Sequence, residues 1–358
     1  MTVVLLLLGT AGAARAEWLT LPISGAGRVT ESVLVVDLKN GVVVEAEPRR
    51  SGEAFRLQRL ETNLFVEIGR SLDEPALPGE VFLSPLRDFG GRTRSLLFLE
   101  TPTGFGALVT KLRQGARLGE LKAVAGRPTA PIASPDANFA LMVREVPSRR
   151  RLFAYIVHGS TGKCLRLELD ADGTAEGAPK DCGLLPRLKL GSGQAGLQYD
   201  GGEVSGYLLV DGSDGAVYRV LFSTDRPDAV SVVRSGVNLV EVFGAAEVGP
   251  RPFVVIPVHR SGGETSLALA LDPVTKRMAL LTGLGVGETV TGRLLGPSLG
   301  SYLDIENKSP SWQAVPRINS NGETQGIWLF ENGTQRIVLI DSPGNPAELS
   351  LRRVEILQ

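Results

Sequence analysis

The 358-residue chain predicts an all-β repeat fold, a six-bladed β-propeller, on three observations. Its apolar stretches are mostly 5 to 9 residues long, rich in Val, Leu and Ile, and closed by Gly, Asn, Asp, Ser or Pro, the pattern of strands and hairpins. A unit of strand, polar turn, strand, Gly-containing turn, strand recurs along the whole chain. The first unit starts one strand short of four and the last is followed by a surplus strand, so pairing of the two ends would close a ring and cover its edges.

The units are marked by their second turn, at Lys39-Asn40-Gly41, Pro102-Thr103-Gly104, Ser160-Thr161-Gly162, Ser213-Asp214-Gly215, Val274-Thr275-Lys276 and Glu331-Asn332-Gly333. With Gly41, Gly104, Gly162, Gly215, Thr275 and Gly333 as markers, the spacings are 63, 58, 53, 60 and 58 residues, so six units fill the chain, with seven blades the alternative count. The first unit offers Trp18 to Ile23, Val33 to Leu38 and Val42 to Ala46; the surplus strand is Glu348 to Leu357. A pair of packed sheets would explain the strands but not the period. Leu118 to Ala125 is the one segment that fits a short helix.

At the N-terminus, the apolar run Val3 to Leu8 leads through small residues to Ala14-Arg15-Ala16 before Glu17, which reads as a signal peptide over 1–16 with one propeller domain over 17–358. No basic residue precedes the run, a departure from the usual pattern. The run is far shorter than the ~20 residues needed to cross a bilayer, and no later segment supplies a span. The expectation is a periplasmic or extracellular protein without a transmembrane segment. Lys plus Arg number 38 and Asp plus Glu 39, a balance that gives no electrostatic drive toward nucleic acid.

Export makes Cys164 and Cys182, the two cysteines, candidates for one disulfide between adjacent strands, contributing about 3 kcal/mol. Alternation along Cys164 to Leu169 puts the leucines on one face and Cys164 on the other, wetter face with Arg166 and Glu168. Lone thiols or a metal pair are the alternatives, but neither histidine is spaced with a cysteine in a zinc-like pattern.

Pro131-Ile132-Ala133-Ser134-Pro135-Asp136-Ala137 resembles the Ser-Pro-Asp-Gly turn of Tol-system and related WD-like propellers, and Pro310-Ser311-Trp312 is similar to the segment leading into it. Ala137 replaces the usual Gly. The resemblance implies the propeller fold and a tendency toward protein-interaction scaffolds, with enzymes a minority.

Candidate chemistry is sparse. Gly191-Ser192-Gly193-Gln194-Ala195-Gly196 matches the dinucleotide pattern but lacks the helix after it, which leaves an interblade loop. Gly159-Ser160-Thr161-Gly162-Lys163 reads as a hairpin turn rather than a phosphate loop. Asp170-Ala171-Asp172-Gly173-Thr174 with Glu176 opens like a calcium loop but lacks its later ligands. His158 and His259 end strands on opposite faces, so they should not meet, and each reads as a surface histidine. Arg149-Arg150-Arg151 sits at a hairpin tip, and Trp312 and Trp328 read as core. No Gly-x-Ser-x-Gly or His-Glu-x-x-His motif occurs.

The favoured reading is therefore an exported, noncatalytic protein-interaction or ligand-binding scaffold. It would be a monomer with no cofactor, no metal and no catalytic residue, its partner another envelope or extracellular protein. The alternative is a propeller hydrolase, for example one acting on glycans, with Asp37, Asp272 and Asp304 as funnel carboxylates.

Overall fold

The computed structural model describes residues 18–72, 81–87, 90–100, 104–109, 121–123, 139–146, 151–169, 177, 179–188, 193–199, 203–223, 226, 230–244, 251–285, 287–299, 312–331, 336–341, 345 and 349–357. The segments holding the candidate signal peptide, the Ser-Pro-Asp turn, the calcium-like loop, Arg149-Arg150 and Asp304 lie outside these residues.

All described strands fall into six sheets, each an antiparallel meander of four strands, and the first gains a fifth, parallel strand. The first sheet holds β1 (Trp18–Ser24), β2 (Thr30–Asp37), β3 (Val42–Pro48) and β4 (Ala54–Asn63). The second holds β5 (Val81–Arg87), β6 (Thr93–Glu100), β7 (Gly104–Val109) and β8 (Leu121–Ala123). The third holds β9 (Phe139–Val146), β10 (Arg151–His158), β11 (Lys163–Leu169) and β12 (Lys180–Leu184). The fourth holds β13 (Gly193–Tyr199), β14 (Glu203–Val210), β15 (Ala216–Phe222) and β16 (Val230–Asn238). The fifth holds β17 (Val254–His259), β18 (Thr265–Asp272), β19 (Arg277–Thr282) and β20 (Thr291–Ser298). The sixth holds β21 (Trp312–Ile318), β22 (Thr324–Glu331), β23 (Arg336–Asp341) and β24 (Ser350–Arg353), and β25 (Glu355–Leu357) adds to the first sheet. The first strand of each sheet lies innermost and neighbours the next sheet around a closed ring, a β-propeller.

Burial explains the strand sequences. The second strands read as nearly unbroken apolar runs, such as Leu152 to Val157 and Leu267 to Leu271, because each sheet is covered on both faces by its neighbours. The outer β4 and β16 alternate or lie open. Each gap between sheets holds its own apolar cluster, from the first–second gap around to the sixth–first gap. In that last gap Trp328 packs edge-on against Phe55, with ring centroids 5.0 Å apart, and donates from Nε1 to the Gly52 carbonyl at 3.0 Å.

The C-terminus pairs with the first sheet as expected, but not by filling a missing strand. The first sheet is not short of a strand, since Ala54–Asn63 supplies its fourth; the alternation begun by Phe55 and Leu57 breaks at Arg59, which leaves no strand-length apolar pattern there. The C-terminal stretch is two strands rather than one. Ser350–Arg353 completes the sixth sheet, the chain turns at Val354, and Glu355–Leu357 pairs in parallel with Ala54, Phe55 and Arg56. Arg352 holds both sides of the junction through ion pairs to Glu53 and Asp341.

Two further expectations are corrected. Leu121–Ala123 is a strand paired with β7, not part of a helix. Among the described residues the α-helices are α1 (Leu64–Leu72) and α2 (Leu239–Phe243), each leaving the fourth strand of its sheet. In the fifth sheet the left-handed turn residue is Lys276 (φ +56°), one position past the marker Thr275 and in register with Gly41, Gly162 and Gly215. None of the described helices is long and apolar enough to cross a membrane.

The Cys164–Cys182 disulfide is present, with Cα atoms 5.2 Å apart, and joins β11 to β12. Cys164 is not on a wet face. It is fully buried with Val157, Leu185, Leu209 and Val220 in the gap to the fourth sheet, because an interblade strand has no solvent face.

Candidate functional site

The first hairpin of most sheets repeats one device. Register shifts occur before Ser24, Arg87, Gln198, His259 and Ile318, the near-terminal or terminal residues of five innermost strands. Six residues later stand Thr30, Thr93, Val204, Thr265 and Thr324, each paired across the hairpin with its bulge residue. Each threonine hydroxyl accepts a hydrogen bond from the preceding sheet's bulge residue: Ser24 N to Thr93, Gln198 N to Thr265, His259 N to Thr324 and Ile318 N to Thr30, at 2.9, 2.8, 3.0 and 3.2 Å. A bulge leaves a backbone N–H out of its ladder, and the next blade supplies the acceptor. These clasps fix the ends of the innermost strands to one another around the ring axis.

At that end of the ring, charged side chains from different sheets converge. Arg28 stands in the turn between β1 and β2, and its Nη2 pairs with Glu145 of β9 at 2.7 Å, across the second sheet's position. Arg87, at the end of β5, donates from Nε to Ser24 Oγ at 3.2 Å. Burial holds its pKa below the usual arginine value, with the Arg28 charge adding to the fall and Glu145 opposing it. His259 comes from β17, opposite the second sheet in the ring. It is 4% exposed, and its Nδ1 lies 3.1 Å from Thr265 Oγ1. Burial first, then Arg87 and Arg28, push its pKa down to about 3, so it is neutral at physiological pH. Tyr207 of β14 donates its hydroxyl to the Val143 carbonyl and accepts from Val143 N, and burial pushes its pKa up to about 12.

The backbone is shaped to place Arg28. Its φ is +66°, a left-handed conformation that costs a non-glycine residue of order 1 kcal/mol. The turn is docked on the second sheet's hairpin by Gly27 N to Gly90 O at 2.8 Å. Only glycine fits beneath it, since a Cβ on Gly91 would come within 2.2 Å of Arg28 Cγ and 2.9 Å of Arg28 N.

The residues singled out in the sequence fall elsewhere, with one exception. Asp37 and Asp272 end the second strands of their sheets, at the opposite face from the arginines, and cap the turns that follow. Asp37 accepts from Lys39 N, Asn40 N and Asn40 Nδ2. Asp272 accepts from Val274 N and Thr275 Oγ1 and pairs with buried Arg251 at 2.5 Å. They do not converge on a funnel. His158 stands at the same register position, with Nδ1 2.6 Å from Thr161 Oγ1, while His259 ends the opposite face, so the two are apart. Neither is a surface histidine, because strand ends in this ring are covered by the neighbouring sheets; His158 is buried too. Gly193 to Gly196 belong to innermost β13 rather than a loop, and Gly159 to Gly162 form the expected turn, with Gly162 N bonded to His158 O. Trp312 and Trp328 are core. Among the described residues no group of three His, Cys, Asp or Glu side chains is placed to hold a metal. A surface cleft of about 310 Å³ along the outer β4, lined by Val42, Arg59, Glu61 and Asn63, lies away from the converging charges.

Arg28, Arg87, Glu145 and Tyr207 were missed as site residues. A signal existed in the recurrence of Gly27-Arg28-Val29-Thr30, Gly91-Arg92-Thr93, Gly263-Glu264-Thr265 and Gly322-Glu323-Thr324, each marking a hairpin whose preceding strand end reaches the axis.

No family model matches the chain, and no curated protein does. Solved structures with a similar course of the chain include a periplasmic gluconolactonase of Pseudomonas aeruginosa (12% identity, 91% of this chain and 83% of that one, TM-score 0.49). Others are a luciferin-regenerating enzyme (11%, 94% and 90%, 0.48) and an auxiliary nutrient binding protein of Bacteroides thetaiotaomicron (10%, 96% and 79%, 0.45).

Proposed function

We propose that this chain is an exported, noncatalytic binding propeller. Its signal peptide is removed after Ala16, its single domain runs from Glu17, and its ring has six blades, the five-stranded sheet counted as one of them. The observation that carries the noncatalytic reading is the fate of the acids a hydrolase would use. Asp37 and Asp272 spend their lone pairs on turn N–H groups, hydroxyls and Arg251, at the ends of second strands rather than on the axis. A carboxylate so engaged is poorly placed to protonate a leaving group or activate water. The converging charges at the other face supply recognition instead, since guanidiniums and a neutral imidazole hold and orient a ligand without a nucleophile.

The test is the protein purified from a cell envelope and screened against glycosides, esters, lactones and phosphoesters. The expected result is no turnover, with an N-terminus at Glu17 by mass. Turnover abolished by Asp37→Asn or Asp272→Asn would overturn the reading in favour of the hydrolase.

A further inference from the structure

The axial end that carries the clasps holds a charge imbalance. Arg28 from the first sheet and Arg87 from the second meet Glu145 from the third, so two guanidiniums share this end with one carboxylate. His259 is uncharged there. Among these described residues positive charge exceeds negative by one, at partly buried positions where a charge without a counter-ion is costly. Glu145 is bonded to Arg28 Nη2, while Arg28 Nη1, shielded from solvent, has no hydrogen-bond partner among the described residues. Structural economy does not account for this arrangement, because the turn carrying Arg28 adopts a left-handed backbone and needs Gly91 beneath it.

We infer that this axial end is a binding site for a small monocarboxylate, with Arg28 Nη1 and the Arg87 guanidinium as its charged donors. The planar fork of a guanidinium matches two carboxylate oxygens, and Ser24 Oγ orients Arg87 by accepting a hydrogen bond from its Nε–H. A single negative charge brings the group to neutrality. A phosphate dianion would leave an excess negative charge, and a divalent cation would face two arginines. The site names a ligand class for the binding reading above and rests on it. The two fail separately: turnover would remove the noncatalytic reading and leave an anion site, whereas absence of anion binding would remove the site and leave the propeller a binding scaffold of other specificity.

The experiment is calorimetric titration of the intact exported protein in low-salt buffer with acetate, propionate and benzoate, with chloride and inorganic phosphate as separate arms. The expected result is saturable one-to-one binding of at least one monocarboxylate, at least about tenfold tighter than chloride and phosphate. Binding should weaken about tenfold or more in Arg28→Gln and in Arg87→Gln, the scale of losing a charge-assisted hydrogen bond. Glu145→Gln removes the competing carboxylate while keeping its shape, so it should tighten monocarboxylate binding several-fold and admit phosphate. That opposite sign keeps the inference testable should an arginine variant fail to fold. No monocarboxylate binding, preferential binding of phosphate by the unsubstituted protein, or weaker binding in Glu145→Gln would each overturn it.

Discussion

Thr30→Val tests the claim that hydroxyl clasps, and not apolar contact alone, close the ring. Valine keeps the β-branched shape and loses the oxygen. Thr30 Oγ1 accepts from Ile318 N at 3.2 Å and donates to the Pro316 carbonyl at 2.9 Å, so one hydroxyl stitches the first sheet to the sixth at two backbone groups. Thr30 is 8% exposed, and water has little access to replace it. Leaving one buried N–H without an acceptor costs about 1–3 kcal/mol, and about 2 kcal/mol is a central expectation. With an unfolding entropy near 2 cal/mol/K per residue, a chain of this length changes by about 0.7 kcal/mol/K, so Tm should fall by about 3 °C. The assay is thermal unfolding followed by tryptophan fluorescence, because Trp328 lies in that seam. Thr30→Ser keeps the oxygen and should recover most of the loss. A Thr30→Val protein as stable as the parent would refute the clasp. So would a Thr30→Ser protein as unstable as Thr30→Val, which would assign the effect to the methyl group.

Replacing Cys164 and Cys182 together by Ala should cost about 3 kcal/mol of unfolding free energy, read as a shift in denaturation midpoint, and alkylation of the unreduced native protein should label neither cysteine. Deleting 354–358 removes the parallel strand and Val354, a buried member of the sixth–first cluster, and should cost about 2–4 kcal/mol. Deleting 348–358 also strips β24 and should broaden the transition; an unchanged midpoint in the shorter deletion would contradict the role given to β25. His259 has a folded pKa depressed to about 3 against 6.5 unfolded. The unfolded chain therefore binds the extra proton first, and stability is lost as pH falls below 6.5 toward 3, by up to about 1.4 kcal/mol per pH unit. Between pH 7 and 5, before most carboxylates titrate, the stability of His259→Asn should fall less steeply than that of the parent. Parallel curves would refute the assignment.

Sequence by itself determined what depends on local chain chemistry. Strand-length apolar runs, turn residues such as Gly41, Gly162 and Gly215 with positive φ, and a regular period announced a ring of small sheets, because tight turns and pleated strands are specified within a few residues. The pairing of Cys164 with Cys182 was legible because adjacent strands bring residues at that spacing together. What lies between sheets was decided only by the tertiary structure. Cys164 read as exposed by alternation within its strand, and His158 and His259 by standing at strand ends before turns, yet each is buried, because a sheet in the ring is covered on both faces by neighbours contributed from distant sequence. Ala54–Asn63 stayed hidden since an outer strand has little apolar face to show, and the C-terminal stretch divides at Val354 because two different sheets compete for its hydrogen bonds. The meeting of Arg28, Arg87, Glu145 and His259 could not be read from spacing, for it joins residues 58 to 231 positions apart in the chain through the radial geometry of the ring. Local patterns specify each strand and turn; only closure of the ring brings four sheets' strand ends and turns to one axis.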